Sequence, residues 1–302
     1  MKIGILAGEI PPPHFIHQFV CNIAERDHKV FIYGSLKEKN FRYNSSSIFI
    51  RGKPVSKAGI IFTSILLIIK LIYINMHSSF RLLAQIWRYE KKITSFIHRC
   101  SIVLPAFLDD LDIFHIQWAK TLVHYPEFIE KLKCPVVLSL RGAHINYSPL
   151  ADKNLSQRYM KYFPLITGFH AVSDAIAREA EIYAAESKFI TVIRPAVKNL
   201  LLKKLPSPKT FNSKPVLKII SVGRCHWKRG FTFALDTMNG LKKQGINFHY
   251  TLIAGGKDQE NIKYQIQDLG LNGLVSFINE LPHEKVLDMV SISDLFILPS
   301  VE

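Results

Sequence analysis

The side chains best able to do chemistry sit in four short runs, each directly after an apolar, strand-like stretch. SVGRCHWKRGF (Ser221–Phe231) ends such a stretch in Gly223, gathers Arg224, Lys228 and Arg229, and opens a helix-like run at Gly230. A helix N-terminus presents free N–H groups and partial positive charge, so three added cations could grip a diphosphate. Three cations beside a turn are equally a solvated surface. LIAGGKDQE (Leu252–Glu260) ends its apolar run in the pair Gly255 and Gly256, SLRGAH (Ser139–His144) carries Arg141, and FHIQW (Phe114–Trp118) carries His115 and Gln117. His115 is flanked by hydrophobes, a setting that suits a hydrogen-bonded core histidine better than a catalytic one. No GxxxxGK(S/T) P-loop and no GxGxxG dinucleotide fingerprint is present, and the other histidines show no metal-ligand spacing.

Turns carry this weight because open α/β sheets bind ligands beyond the C-terminal ends of their strands. The elements that must supply such ends alternate along the chain. KIGILA (Lys2–Ala7) reads as a strand, Phe15, Phe19, Ile23 and Ala24 recur at helical spacing, and KVFIYG (Lys29–Gly34) returns to strand. DIFHIQ (Asp112–Gln117), PVVLSL (Pro135–Leu140), GFHAV (Gly168–Val172) and FITVI (Phe189–Ile193) follow, separated by helix-length segments, which predicts a parallel sheet covered on both faces. Ser173 precedes DAIAREAEIYAA as a helix N-cap. KNLLLKKLPSPKTFNSKP (198–215) breaks the pattern with prolines and lysines and reads as a linker. A second series then starts: strand VLKIISV (Val216–Val222), a helix with Phe231, Ala234, Leu235, Met238 and Leu241 on one face, strand HYTLIA (His249–Ala254), a helix over Glu260–Leu269, strand VSFI (Val275–Ile278), a helix from about His283, and strand DLFILP (Asp294–Pro299). The expected architecture is α/β with two doubly wound domains, 1–197 and 216–302, joined through 198–215.

The composition fits this and narrows the partners. In 302 residues, 48% hydrophobic and 21% charged side chains describe a globular chain long enough for two cores. Thirty-nine Lys and Arg against 24 Asp and Glu give a net charge of +15, which calls for an anionic partner such as membrane phospholipid, nucleic acid or a phosphorylated substrate. No RRM, KH, zinc-finger or helix-turn-helix signature supports nucleic acid. Cys21, Cys100, Cys134 and Cys225 form no CxxC pair and read as reduced core thiols of a cytosolic protein. MKIGILAGEIPPP lacks the long apolar core of a signal peptide. Gly59–Met76 is apolar except for Thr63, Ser64, Lys70 and Asn75. Lys70 would cost roughly 2.5–3.5 kcal/mol at the centre of a bilayer, so a helix lying on the membrane interface, with Lys57, Lys70, Arg81 and Arg88 near lipid phosphates, suits the charge better than a span. A buried helix of the first domain is the other reading.

The order and spacing of VGRCHWKRG, LIAGGKDQE and LGLNGLVSFINELPHEKVLDMVSISDLFILPSVE (Leu269–Glu302) resemble the donor domain of family 4 retaining glycosyltransferases (glycosyltransferase group 1). More loosely, IPPPHFI (Ile10–Ile16) resembles the PPxxETFI loop of a polysaccharide-forming subgroup, and SLRGAH its FRGxD turn. The resemblance implies a GT-B-like fold, two Rossmann-like domains facing a cleft. It implies that Arg224 binds the donor diphosphate, that Arg229 stands where the family has a lysine, with Lys228 sharing the role, and that Gly255 and Gly256 form a close-approach turn. Arg141 occupies the place of a mechanistic histidine in many relatives; there it holds an acceptor phosphate or the leaving group, or braces the cleft. The family places a glutamate directly after the PSxx segment, which Pro299–Glu302 fill here, so the second domain is expected to be incomplete and the chain a truncated enzyme.

The implied function is transfer of a sugar from a nucleoside diphosphate sugar donor to a carbohydrate or lipid-linked acceptor in surface polysaccharide biosynthesis. No cofactor and no metal are expected, and the location is cytoplasmic or peripheral at the inner face of the membrane. Two other readings stand beside it: a membrane-adhering fragment without turnover, and a GT-B sugar-nucleotide epimerase.

Overall fold

The computed structural model describes residues 1–185, 189–196 and 216–301, in two compact units, Met1–Ala196 and Val197–Glu302. The linker expected at 198–215 lies outside the described residues.

In the first unit, β1 (Lys2–Ile10), β2 (Lys29–Leu36), β3 (Ile48–Lys53), β4 (Ile113–Ile116), β5 (Val136–Leu140), β6 (Gly168–Ala171) and β7 (Ile190–Val192) form one parallel sheet of order β3-β2-β1-β4-β5-β6-β7. Strand order reverses between β1 and β4, the switch point at which doubly wound sheets open a crevice beyond their carboxyl ends. Both faces are covered, and β2 shows how. Val30 and Ile32 pack with Ile16 and Val20 of α1 (His14–Ala24), whereas Phe31 and Tyr33 enter the opposite core with Val103 and Phe114. The helices on the sheet and at its carboxyl edge are α2 (Lys57–Ile74), α3 (Met76–Glu90), α4 (Ile93–Leu108), α5 (Ala119–His124), α6 (Glu127–Glu130), α7 (Ala143–Asn146), α8 (Ser148–Ala151), α9 (Lys153–Tyr162) and α10 (Asp174–Ala180). Ser173 caps α10 by accepting the Ile176 N–H at 3.3 Å.

Several details differ from expectation or decide between readings. The buried stripe of α1 is Ile16, Val20 and Ala24, one residue out of step with the anticipated Phe15 face; Phe15 is 44% exposed and turns toward the strand ends. Edge strand β3 was not anticipated because Arg51 interrupts its apolar run. That charge is held by Asp109 at 2.8 Å and lies 5.2 Å from the centre of the Phe31 ring, so a half-buried strand can carry it. All four cysteines are free, but only Cys100 and Cys225 are buried. The apolar helix α2 is not a buried helix. Only 17% of its 18-residue window is buried; Ile60, Ser64 and Leu71 face inward, while Phe62, Ile65, Leu66, Ile69 and Tyr73 face out.

The second unit contains β8 (Leu217–Arg224), α11 (Phe231–Lys243), β9 (Phe248–Gly255), α12 (Gln259–Asp268), β10 (Val275–Ile278), α13 (His283–Ser291) and β11 (Leu295–Phe296). Its parallel sheet runs β10-β9-β8-β11, so its own switch point lies between β8 and β11. Phe231, Ala234, Leu235 and Met238 of α11 pack with Ile219, Tyr250 and Leu252, the helical period meeting the sheet as the sequence implies. β11 is two residues, shorter than the six-residue run expected. The chain nonetheless stays beside β8, because the Ile297 N–H reaches the Ile220 carbonyl at 2.9 Å and the Ser221 hydroxyl donates to the Ile297 carbonyl at 2.5 Å.

Candidate functional site

The sequence-predicted donor residues Arg224, Lys228, Arg229, Gly255 and Gly256 come together at the carboxyl ends of β8 and β9. Arg224 is the register partner of Gly255, and the Cys225 N–H donates to the Gly255 carbonyl at 2.6 Å. Gly256 has φ +140°, and a Cβ there would lie 2.6 Å from the Cys225 carbonyl oxygen. Only glycine lets these two turns lie against each other. Beyond Cys225, a single 3-10 turn over Trp227–Arg229 is fixed from two sides: the His226 ring nitrogen accepts the Lys228 N–H at 3.3 Å, and Asp258 accepts the Trp227 N–H at 3.1 Å. The chain then enters α11 through Gly230, whose φ of +66° no β-carbon tolerates here, since one would sit 1.8 Å from the Pro299 carbonyl oxygen.

The electrostatics follow from this backbone. Among the described residues no side chain caps the α11 N-terminus, so its first-turn N–H groups and partial positive charge remain available. Arg229 lays its stem over Gly223, Arg224 is exposed at the strand tip, and neither makes a side-chain hydrogen bond or ion pair among the described residues. Lys228 places its ammonium 5.4 Å from the centre of the Trp227 ring. Glu280, which sequence reasoning did not single out, lies over Gly255: a Cβ there would fall 2.2 Å from its Cγ. The ELP run that carries Glu280 has no chemical signature of its own in the sequence.

Arg141 belongs to the first unit and sits beside its switch point. Its guanidinium stacks 4.9 Å from the Phe15 ring centre, and its Nη2 donates to Gln117 Oε1 at 3.1 Å and toward Ser139 Oγ at 3.4 Å. Burial lowers its pKa below the usual arginine value. Trp118 closes the other side, edge-on to Phe15 and 5.2 Å from His144, with its indole N–H on the Ala7 carbonyl at 3.2 Å. Gln117 Nε2, Arg141 Nε and His144 Nδ1 are buried without a hydrogen-bond partner among the described residues. Unpaired buried donors are costly, and the first two bring N–H groups to one strand-end site. Phe15, Gln117 and Trp118 were visible in the sequence as the IPPPHFI and FHIQW runs, but only the fold sets them around Arg141.

His115 is a structural histidine. Its Nε2 lies 2.9 Å from Ser139 Oγ, which lies 3.0 Å from His170 Nδ1, and His170 Nε2 lies 3.1 Å from the Ile193 carbonyl. A carbonyl only accepts, so His170 carries its hydrogen on Nε2. Its Nδ1 then accepts the Ser139 O–H, leaving Ser139 Oγ to accept from His115 and from Arg141. Burial first, then His170 and Arg141, lowers the His115 pKa to about 3. Burial, with Lys120, lowers that of His144 to about 4. Among the described residues no cluster of three or more His, Cys, Asp or Glu could hold a metal ion.

The sequence profile for glycosyl transferases group 1 matches residues 205–302. The amylovoran biosynthesis glycosyltransferase AmsK of Erwinia amylovora is 26% identical over 214 residues, 66% of this chain and 50% of that protein. The putative colanic acid biosynthesis glycosyltransferase WcaL of Escherichia coli K12 is 32% identical over 97 residues, 30% of this chain and 24% of that protein. The chain therefore spans at most about half the length of these curated relatives. Among solved structures, sucrose-phosphate synthase from Thermosynechococcus elongatus matches with a TM-score of 0.65 at 11% identity, covering 99% of this chain and 75% of that one. Anabaena HepE in complex with UDP matches at 0.59 and 13%, covering 100% and 75%. These structural likenesses establish the GT-B fold.

Proposed function

We propose that this chain, whose residues 205–302 match the glycosyl transferases group 1, moves a sugar from a nucleoside diphosphate sugar to a carbohydrate or lipid-linked acceptor, in the assembly of a surface polysaccharide. The observation that carries this reading is the pair of interlocked glycine turns at the ends of β8 and β9, beside a helix N-terminus without a side-chain cap and two arginines, both without partners among the described residues. As the glycosidic bond breaks, negative charge grows on the departing diphosphate. Arg224 and Arg229, already in position, then gain more from the transition state than from the ground state, with Lys228 alongside. The first-turn N–H groups of α11 add to them. The diphosphate is met by these cations and no metal is invoked. Arg141 and Gln117 offer their unmet N–H groups to a hydroxyl or phosphate oxygen of the acceptor. By resemblance the transfer retains anomeric configuration, which NMR of the product would read directly.

Purified chain incubated with a panel of UDP-, GDP- and ADP-sugars, with and without lipid-linked oligosaccharide, should release nucleoside diphosphate from at least one donor. Release from none would contradict the reading.

The outward face of α2 favours peripheral attachment to the inner, cytoplasmic face of an anionic membrane. Its exposed Phe62, Ile65, Ile69 and Tyr73 lie in a stretch, 39–89, that contains no Asp or Glu. Apolar burial plus attraction to lipid phosphates is the recipe for an interfacial helix. Flotation with anionic liposomes should carry the protein upward, and Ile65→Glu with Ile69→Glu should leave it in the load fraction. Equal flotation of both would refute attachment through this face.

A further inference from the structure

The first unit contains a cavity of about 980 Å³ that none of the donor-site residues line. Its walls come from α5, α8 and α9, with Tyr89 of α3 at the rim, and its character is aromatic and basic. Tyr147, 44% exposed, and Tyr89, 38% exposed, offer ring surface; Val123 and Leu155 supply an apolar floor. Lys120, Arg158 and Lys161 give three permanent cations against one carboxylate, Asp152. That carboxylate is already engaged, since its Oδ1 accepts the Asn154 and Leu155 N–H groups at 3.0 and 3.2 Å as the cap of α9. The nearby carboxylates are also taken. Glu90 and Glu127 both bind Arg99, at 2.7 Å each, and Arg99 in turn lies 5.1 Å from the centre of the Tyr89 ring and supports it. Glu130 accepts from Gln85. The positive field is felt inside the cavity, where burial, then Arg158, Arg99 and Lys120, lower the pKa of the lining residue His124.

A small-molecule site is usually apolar with a few directed polar groups, and this volume lies at the upper end of the range for such sites. A sugar ring lays its C–H face on an aromatic side chain. Three cations against a single capping carboxylate discriminate by charge rather than by ring shape. We infer that the cavity binds the acceptor as an acidic glycan, two or three sugars long, whose carboxylate or phosphate is met by Lys120, Arg158 and Lys161 while Tyr147 and Tyr89 take the sugar faces. This inference rests on the transferase reading but not on turnover, so it can fail separately.

The test is direct binding to the full chain without donor. Three probes are titrated calorimetrically at low salt: a glucuronate-terminated trisaccharide, its carboxyl-reduced neutral counterpart, and the same neutral trisaccharide bearing a terminal phosphate. The glucuronate or phosphate probe should bind at least about tenfold tighter than the neutral one, a difference of 1.4 kcal/mol, and the ranking of the two names the anion. Arg158→Gln with Lys161→Gln, both on the exposed face of α9, should abolish the preference. Tyr147→Ala should weaken all three probes alike. UDP affinity, read on the same variants, reports the donor site independently; its loss in wild type would count against the transferase reading alone. Equal affinity for acidic and neutral probes, no binding of any probe, or a preference that survives the double variant would overturn the assignment.

Discussion

Two arginine sites at two sheet switch points differ in how much of their environment is already in place. Arg141 is desolvated, stacked on Phe15 and tied to Gln117 and to the serine between two histidines. Arg224 stands exposed at the tip of β8, and neither it nor Arg229 has a partner among the described residues. The first site is fixed by side chains and offers directed N–H groups. The second is fixed by backbone, through glycines that bring turns together, and offers charge. A planar fork held in one orientation suits recognition of a particular oxygen, whereas cations gathered at a helix N-terminus suit a diffuse anionic diphosphate.

The comparison breaks most severely at the backbone. Gly230→Ala forces a Cβ into the Pro299 carbonyl oxygen at a φ that already costs roughly 1–2 kcal/mol for a residue with a side chain. The collision involves backbone and cannot be relieved by a rotamer, so nucleotide-sugar turnover should fall about a hundredfold or more. Unchanged steady-state rates would show that this turn does not organise the donor site. Next comes Arg141→Lys, which keeps a charge but loses the fork and the stacking; turnover should drop about ten- to a hundredfold, as for the loss of charge-assisted hydrogen bonds worth roughly 1.5–3 kcal/mol. A near-wild-type rate would mean that Arg141 acts by charge alone. Arg229→Lys should cost less than about threefold, because this half-buried cation has no fixed hydrogen-bond partner among the described residues and would meet the diphosphate chiefly as charge. A loss as large as that of Arg141→Lys would erase the distinction between the sites.

The smallest effect is on pH. His115 and His144 have folded-state pKa values lowered to about 3 and about 4, below the usual value for histidine. The unfolded chain therefore binds protons first, so the stability these groups contribute is intact above pH about 6.5 and is lost as pH falls toward the folded values. Thermal unfolding midpoints should decline from pH 7 to 5, and His144→Gln should flatten the decline slightly. A midpoint that rises on acidification would contradict the sign.

Much of this was legible in the sequence, and the reason is periodicity. Strands buried on both faces read as continuous apolar runs, so most strands were found within a residue or two, and the cations after β8 stood beside a glycine where a ligand turn is expected. The failures share one cause. Arg51 hid β3 because its partner Asp109 is 58 residues away, and the helical spacing of Phe15, Phe19 and Ile23 does not say which face of α1 meets the sheet. The surround of Arg141 comes from three separate strand ends, and only the sheet order β1-β4-β5 makes them neighbours. The exposure of α2 was one of two readings the sequence left open, since an apolar helix reads the same whether its second face meets protein or lipid.

The central claim is that the cations at the β8 turn bind a nucleoside diphosphate. Calorimetric titration of the full chain with UDP, and with GDP and ADP in parallel, should give saturable binding that Arg224→Ala weakens about tenfold or more, the worth of one charge-assisted hydrogen bond to phosphate. Identical dissociation constants for wild type and variant across all three nucleotides would contradict it.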